Sequence, residues 1–299
     1  MKGKKQQGQL ALEFPHAYTQ QNAKEITKAT PFLKWAGGKR GIMPELLARL
    51  PKTFNDYYEP FAGGGALFFE LQPRLRRAFL SDANPDLICT YQIIRDRVED
   101  LIELLSRHRR NHNEHYFYEM RQQQNLTNPV EIAARMIYLN KTCFNGLWRV
   151  NKKGEFNVGF GKGENPGILQ QVNLERCARA LSRSIIACQD YKAIKPKAGD
   201  FVYFDPPYHS PKSKCFTAYT QSDFTEKDQA ELAAFCILLH QQNVKLMMSN
   251  SDTDYIRELY NLPAFNVTSI KAPRIVNCKG NARTPISELL VTNCESQKC

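Results

Sequence analysis

No two cysteines in this 299-residue chain stand at Cys-x-x-Cys spacing, although nine are scattered from Cys89 to Cys299. That removes the framework of a zinc knuckle and gives no disulfide pattern, so the cysteines read as reduced, mostly buried thiols. No apolar run approaches the roughly 20 residues that cross a bilayer. The opening Met1-Lys2-Gly3-Lys4-Lys5-Gln6-Gln7 lacks the apolar stretch of a secretory signal, so a cytoplasmic location is expected. Acids are in deficit: 30 Asp and Glu stand against 41 Lys and Arg, a formal net charge of +11. Such a balance favours a polyanionic partner, because Lys and Arg placed on phosphates release condensed counterions. Two phosphate-loop signatures are also missing. Gly37-Gly38-Lys39 is followed by Arg40 rather than Ser or Thr, which makes a poor NTPase. Gly63 and Gly65 are followed by Phe68 where a dinucleotide fingerprint has its third glycine. What is present is an ordinary globular composition, 42% hydrophobic and 24% charged, able to bury one large core or two smaller ones.

The most informative segment is Asp205-Pro206-Pro207-Tyr208, directly behind the apolar run Phe201-Val202-Tyr203-Phe204. A short β-rich run ending in an acid reads as a buried strand stopping at the carboxyl edge of a sheet, where open α/β sheets bind ligands. Two prolines stop the strand and hold its last carbonyls rigid. A carboxylate, a fixed carbonyl and an aromatic face then suit a flat ring bearing an amine: Asp205 and the Pro206 carbonyl can accept its two N–H bonds while Tyr208 stacks on it. Taken alone, the tetrapeptide equally suits a strand end followed by an ordinary turn.

A second unit runs from Tyr57-Tyr58-Glu59-Pro60, a strand end, through Phe61-Ala62-Gly63-Gly64-Gly65, a turn open to close backbone approach, into a helix at Ala66. The strand Ala78-Phe79-Leu80-Ser81 follows and ends in Asp82. A glycine turn after one strand and an acid at the end of the next is how βαβ units hold an adenosine, although a glycine triplet also serves as a plain flexible turn. Upstream, Pro31 to Arg40 forms a Gly- and Lys-rich loop that enters a helix carrying Ile42, Leu46, Leu47 and Leu50.

Residues 1–30 read as a basic, mobile tail, 31–97 and 173–299 as one α/β catalytic domain, and 98–172 as an insertion within it. The insertion opens with helices over 98–109, 113–124 and 129–141. It continues as a turn-rich ribbon in which Lys141, Arg149, Lys152, Lys153 and Lys162 face one acid, Glu155. Phe144, Asn145, Trp148 and Asn157 lie among its glycines, a mixture suited to phosphate neutralisation, base-edge bonding and wedging between bases. A solvated hairpin over an aromatic mini-core is the plainer alternative. His108, His112 and His115 could share a helical face, but Arg107, Arg109 and Arg110 around them read instead as a solvated, phosphate-facing helix, and no metal site is expected. After residue 173 come a helix at 174–182, strands at 184–187 and 201–204, a helix at 225–241, a strand at 244–249, a helix at 252–260, and strands near 265–270 and 287–292.

Taken in order, Phe32-Leu33-Lys34-Trp35-Ala36-Gly37-Gly38-Lys39, Glu59 to Gly65, Asp82-x-Asn84, Phe144-Asn145-Gly146-Leu147-x-Arg149, Gly154-x-Phe156-Asn157-Val158 and Asp205 to Tyr208 resemble the motifs of the Dam-type, α-class DNA adenine-N6 methyltransferases. Phe216-Thr217-x-Tyr219 and Ser287 to Val291 match as well. The resemblance implies a Rossmann-like methyltransferase sheet with an inserted, mainly helical target-recognition domain plus a β-hairpin. It implies S-adenosylmethionine bordered by Trp35, Ala36, Gly37 and Lys39, with Glu59, Phe61, Gly63 and Gly65 at its methionine end. Asp82 would face its ribose and Asp190 and Tyr191 its adenine, and Asp205 would also border it. Asp205, Pro206, Pro207 and Tyr208 would receive the flipped target adenine. The implied DNA contacts are Lys34, Phe144, Asn145, Leu147, Arg149, Asn157 and Gly159, with Arg149 reading a guanine and GATC the target. Gly159 departs from the proline common in the family. Lys271, Arg274, Lys279 and Arg283, in the loop before the last strand, would meet phosphates or equally form a solvated basic loop, and Cys215 has no assigned role. The implied partner is double-stranded DNA in the nucleoid of a prokaryotic or phage-infected cell, with a cognate restriction endonuclease in the same system. An RNA adenine methyltransferase and a catalytically inactive DNA-binding protein are the alternative readings.

Overall fold

The computed structural model describes residues 28–210, 224–272 and 286–294. Its elements run α1 (Met43–Ala48), β1 (Tyr57–Glu59), α2 (Ala66–Leu71), β2 (Ala78–Asp82), α3 (Pro85–Asp96), α4 (Val98–Asn111), α5 (Glu114–Gln122), α6 (Pro129–Thr142), α7 (Gln171–Leu181), β3 (Ser184–Cys188), β4 (Phe201–Phe204), α8 (Glu226–Gln241), β5 (Lys245–Ser251), α9 (Asp254–Tyr260), β6 (Asn266–Ala272) and β7 (Ile286–Thr292). Seven strands form one sheet in the order β3-β2-β1-β4-β5-β7-β6, parallel except for β7, which runs antiparallel to both of its neighbours. The chain builds outward from β1 through β2 to β3 and then returns to place β4 on the other side of β1. That reversal opens a crevice at the carboxyl ends of β1 and β4, and it puts Glu59 and Asp205 on its two walls.

Strand alternation decides which side chain meets which layer. Tyr57, Phe201, Tyr203, Met247 and Leu290 point into one core with α1, α2, α3, α4, α6 and α7. Their neighbours Tyr58, Val202, Phe204, Met248, Leu289 and Val291 point into the other, under α8 and α9. Fully buried on both faces, β4 must therefore be continuously apolar.

The helices begin where short polar side chains can cap them. Asn84, Asn113 and Asn128 accept from Leu87, Tyr116 and Val130 N–H, with Pro85 and Pro129 at the first position of α3 and α6. Thr225 and Asp228 close a capping box on α8.

Two sequence expectations change here. Residues 28–30, assigned to the tail, are tied down: Asn173 exchanges bonds with the Thr30 N–H (3.0 Å) and carbonyl (2.9 Å), and Lys28 pairs with Glu70. Residues 1–27 lie outside the described residues. Of the one large core or two smaller ones left open by the length, the helices of the insertion share one with α3 and α7. The histidines do not form a phosphate-facing row. His108 is buried and its Nδ1 lies 2.7 Å from the Tyr116 hydroxyl, while His112 Nδ1 lies 3.0 Å from that of Tyr138. Burial lowers His108 to a pKa of about 4, so it is neutral packing material. Arg107, Arg109 and Arg110 are exposed, His115 stands apart on α5, and among the described residues no metal-binding group of His, Cys, Asp and Glu occurs. No helix among them is long and apolar enough to cross a membrane.

Candidate active site

The crevice is a cavity of about 440 Å³ lined by Trp35, Ala36, Gly37, Lys39, Glu59, Phe61, Gly63, Gly65, Asp82, Asp190, Tyr191 and the whole of Asp205 to Tyr208. Every residue expected at the cofactor or in catalysis thus lies on one wall or another of a single space. Backbone geometry explains the glycines. Gly63 and Gly65 sit at φ +47° and +64°, and a Cβ on them would lie 2.9 Å from the Trp35 ring and 2.6 Å from the Tyr91 hydroxyl oxygen. Asp82 fixes this turn from below: Oδ2 accepts the Gly63 N–H and Oδ1 the Asn84 N–H, each at 3.0 Å. Two backbone bonds leave lone pairs of that carboxylate for a ligand.

The acids are unequal. Glu59 is 2% exposed, and burial pushes its pKa up to about 8, against a 2.8 Å bond from the Tyr57 hydroxyl. Asp205 is also raised by burial, although Lys39 opposes that, its Nζ 2.8 Å from Oδ1. Ser249 Oγ donates to the same oxygen at 2.9 Å and meets the Tyr203 hydroxyl at 2.9 Å. Among the described residues, the bonds to Asp205 fall on Oδ1. Lys39 Nζ also stands 4.8 Å from the centroid of the Tyr208 ring, whose hydroxyl donates to Glu288 Oε2 at 2.8 Å. A charged amine thus already occupies the place where carboxylate and aromatic face converge.

Sequence reasoning passed over other lining residues. Phe224, Gln189, Lys192 and Asp228 complete the wall beside Asp190 and Tyr191, and Phe61 stacks on Tyr191 with centroids 5.3 Å apart. No spacing or motif marks them.

Residues 143–161 form the ribbon, held by the antiparallel pairs Cys143 with Phe160 and Val150 with Phe156. Beneath it Trp148 and Phe156 are buried against each other, ring centroids 4.8 Å apart, while Phe144 stands 49% exposed beside exposed Asn145. Asn145 takes φ +55°, a conformation Asn tolerates better than most residues. Half-buried Arg149 donates Nε to Asn157 Oδ1 at 2.8 Å, and half-buried Leu147 and Gly159 lie along the same ribbon. Exposed Lys34 joins them through buried Asn140. The Asn140 side chain accepts the Lys34 N–H and donates to the Lys34 carbonyl, both at 2.8 Å, and to the Gly146 carbonyl at 3.1 Å. All seven expected DNA contacts therefore lie on or against one ribbon, tied to the loop that enters the cavity. Lys271 is exposed on β6; Arg274, Lys279, Arg283, Cys215 and the segment Phe216 to Tyr219 lie outside the described residues.

Strand order, the glycine turn after β1 and the crevice at the switch point define a Rossmann-like methyltransferase fold. The chain belongs to the D12 class of N6 adenine-specific DNA methyltransferases, whose family model matches residues 35–275. It is 40% identical over 286 residues to the type II methyltransferase M.MjaIII of Methanocaldococcus jannaschii, covering 88% of this chain and 98% of that protein. To the DNA adenine methylase of Escherichia coli K12 it is 35% identical over 273 residues, 89% of this chain and 95% of the other. The DNA N-6-adenine-methyltransferase of Escherichia phage P1 is 36% identical over 263 residues, 86% of this chain and 34% of that longer protein. The protein is a DNA adenine-N6 methyltransferase.

Proposed function

We propose that this enzyme takes its methyl group from S-adenosylmethionine and delivers it to the N6 amine of an adenine flipped out of duplex DNA, within GATC. One observation carries the reading: Asp205, the fixed carbonyls behind it and Tyr208 open into the same cavity as the glycine turn and Asp82. The residues present fit the cofactor. The cavity has the size of cofactor sites, roughly 300–1,000 Å³. Its glycines sit where a Cβ would strike the Trp35 ring or the Tyr91 hydroxyl, so the turn lines the cavity as bare backbone. Its acids Asp82 and Asp190 suit a ligand with a ribose diol and a positive charge, and buried Glu59 can accept from an ammonium, whose charge would draw off the proton that burial keeps on it. When bound, that ligand supplies an electrophilic methyl group.

The chain's own residues would do the rest. Asp205 and the Pro206 carbonyl accept the two N6 hydrogens and Tyr208 stacks on the base, offsetting an unstacking cost of a few kcal/mol. The incoming amine must displace Lys39 from Asp205 Oδ1 or take the other oxygen. Holding N6 by both hydrogens aims its lone pair along the line of displacement, so positioning supplies much of the rate. The methylated amine is strongly acidic and loses its proton to Asp205 or water.

The ribbon would read the site, and residues 98–172 would serve as target-recognition unit. Arg149, set by Asn157, suits bidentate bonding to guanine O6 and N7. Phe144 suits a wedge in the stack, with Asn145 and Leu147 beside it, and Lys34 an outer base pair. The name of the archaeal relative supports a place beside a cognate restriction endonuclease. The test is transfer of label from S-adenosylmethionine to duplexes carrying GATC or its single-base variants, and to RNA. N6-methyladenine confined to GATC is expected. Label at another DNA site would overturn the target, and label in RNA alone would overturn the substrate.

A further inference from the structure

Two prolines leave one loose joint in the catalytic turn, and a buried pair of amides grips it. Proline fixes φ at 206 and 207, and Pro207 restricts the backbone of the residue before it. The first torsion ahead of Tyr208 that can turn freely is therefore ψ of Pro207, the one that swings the Pro207 carbonyl. Gln229 Nε2, from the first turns of α8, donates to that carbonyl at 2.8 Å. Gln229 Oε1 accepts from Asn250 Nδ2 at 2.9 Å, which fixes the way the Gln229 amide faces. Asn250 Oδ1 in turn accepts the His209 N–H, just beyond Tyr208, at 3.3 Å, and the Ser251 N–H at 2.8 Å. Ser251 Oγ donates to the His209 carbonyl at 2.7 Å. Both amides are wholly buried, at 0% exposure. Burying two amides is costly unless each is bonded. An apolar pair would serve the core equally well if packing were the only requirement.

We infer that Gln229 and Asn250 are positioning residues that set the plane of the Tyr208 ring, by holding the carbonyl before it and the amide after it, and so set the angle at which the target base is presented to the methyl donor. The inference rests on the proposed role of the Asp205 to Tyr208 turn. The clamp touches neither base nor donor and acts through Tyr208 alone. Its loss should slow the chemical step while leaving ligand affinities in place.

The test uses the full chain in single-turnover methyl transfer, with 2-aminopurine at the target position reporting stacking of the flipped base. Gln229→Met keeps the volume and removes the donor. A fall of about 10- to 100-fold in the single-turnover rate is expected, with brighter 2-aminopurine and unchanged affinities for DNA and S-adenosylmethionine. In a Tyr208→Ala background the same substitution should change little, because its route is already cut. Gln229→Glu gives a signature that plain stability does not. A neutral acid can still donate to the Pro207 carbonyl and accept from Asn250, whereas a carboxylate cannot donate. Its rate relative to wild type at the same pH should therefore recover as pH is lowered, and this decides the matter if Gln229→Met fails to fold. A wild-type rate in Gln229→Met, an equal slowing on the Tyr208→Ala background, or no recovery of Gln229→Glu at low pH would overturn the clamp. Full turnover in Asp205→Ala would instead overturn the role of the site itself.

Discussion

The cleft and the ribbon are built on opposite plans. In the cleft each polar side chain leans on another: Lys39 and Ser249 on Asp205, Tyr203 on Ser249, Tyr57 on Glu59, Asp82 on the glycine turn. The ribbon is held mainly through its backbone, by its bridges and by Asn140 at the Gly146 carbonyl, with Trp148 and Phe156 beneath it, and it leaves Phe144 and Asn145 in solvent. A reaction that depends on near-attack geometry gains from groups fixed before the substrate arrives. A surface that must follow a groove gains from side chains free to settle on it.

The sharpest break of this contrast is Asp205→Ala. It removes the acceptor for the target amine and strands Lys39 in a buried site, so methyl transfer should fall by more than about 10³-fold. Because the ribbon is untouched, DNA affinity measured in parallel should be largely kept. Loss of both together would mean that the two regions are not separable.

Glu59→Gln probes the cleft by stability. In the folded protein Glu59 holds its proton up to a pH of about 8, whereas in the unfolded chain it releases it near the ordinary value of about 4.3. Between those values the folded state binds the extra proton, so wild-type stability falls as pH rises. The glutamine variant lacks that drain. Its thermal midpoint should exceed the wild type's by a margin that widens from pH 5 to pH 8, even as its affinity for S-adenosylmethionine falls. A margin independent of pH would show that Glu59 is charged in the folded cleft.

How much of this was legible beforehand also divides along the contrast. The cleft's walls were readable, because glycine turns and an acid behind an apolar strand are backbone necessities that leave local signatures. The supports were not. Gln229 and Asn250 sit in ordinary-looking helix and strand, and only the return of α8 and β5 to the end of β4 gives them work. Pro85–Asp96, to which no element was assigned, is helix α3, although Asn84-Pro85 is a cap followed by proline at the first helical position. His108 was misread because its arginine neighbours are exposed, while the step of about 100° from one residue to the next turns the imidazole inward among Tyr116 and Tyr138. The insertion's shared core was hidden because α3 and α7, which it packs on, flank it in sequence.

On the ribbon, Arg149→Ala should relax discrimination at one outer base pair by about 1–3 kcal/mol, read as the ratio of transfer rates on the correct and substituted sites. Asn157→Ala removes only the bond that aims the guanidinium, so it should relax the same position by less. A uniform loss over all sequences from Arg149→Ala would make it a phosphate contact. Discrimination lost at a different base pair in Asn157→Ala would make Asn157 a reader in its own right.

Gly159→Ala carries the smallest expected effect. A Cβ there meets nothing within 4 Å, and its φ lies outside the left-handed region that favours glycine. Its carbonyl accepts the Phe144 N–H at 2.9 Å, a bond alanine keeps. With no strain to add, the substitution acts on the unfolded chain and should raise stability by about 0.4–1 kcal/mol, seen as a small rise in thermal midpoint. Transfer at the preferred site should be unchanged if the backbone here stands clear of the bases. A new methyl group that lowers the rate on one sequence and not on others would place the Gly159 backbone against a base edge, and would make the absence of a side chain at that position part of how the ribbon reads DNA.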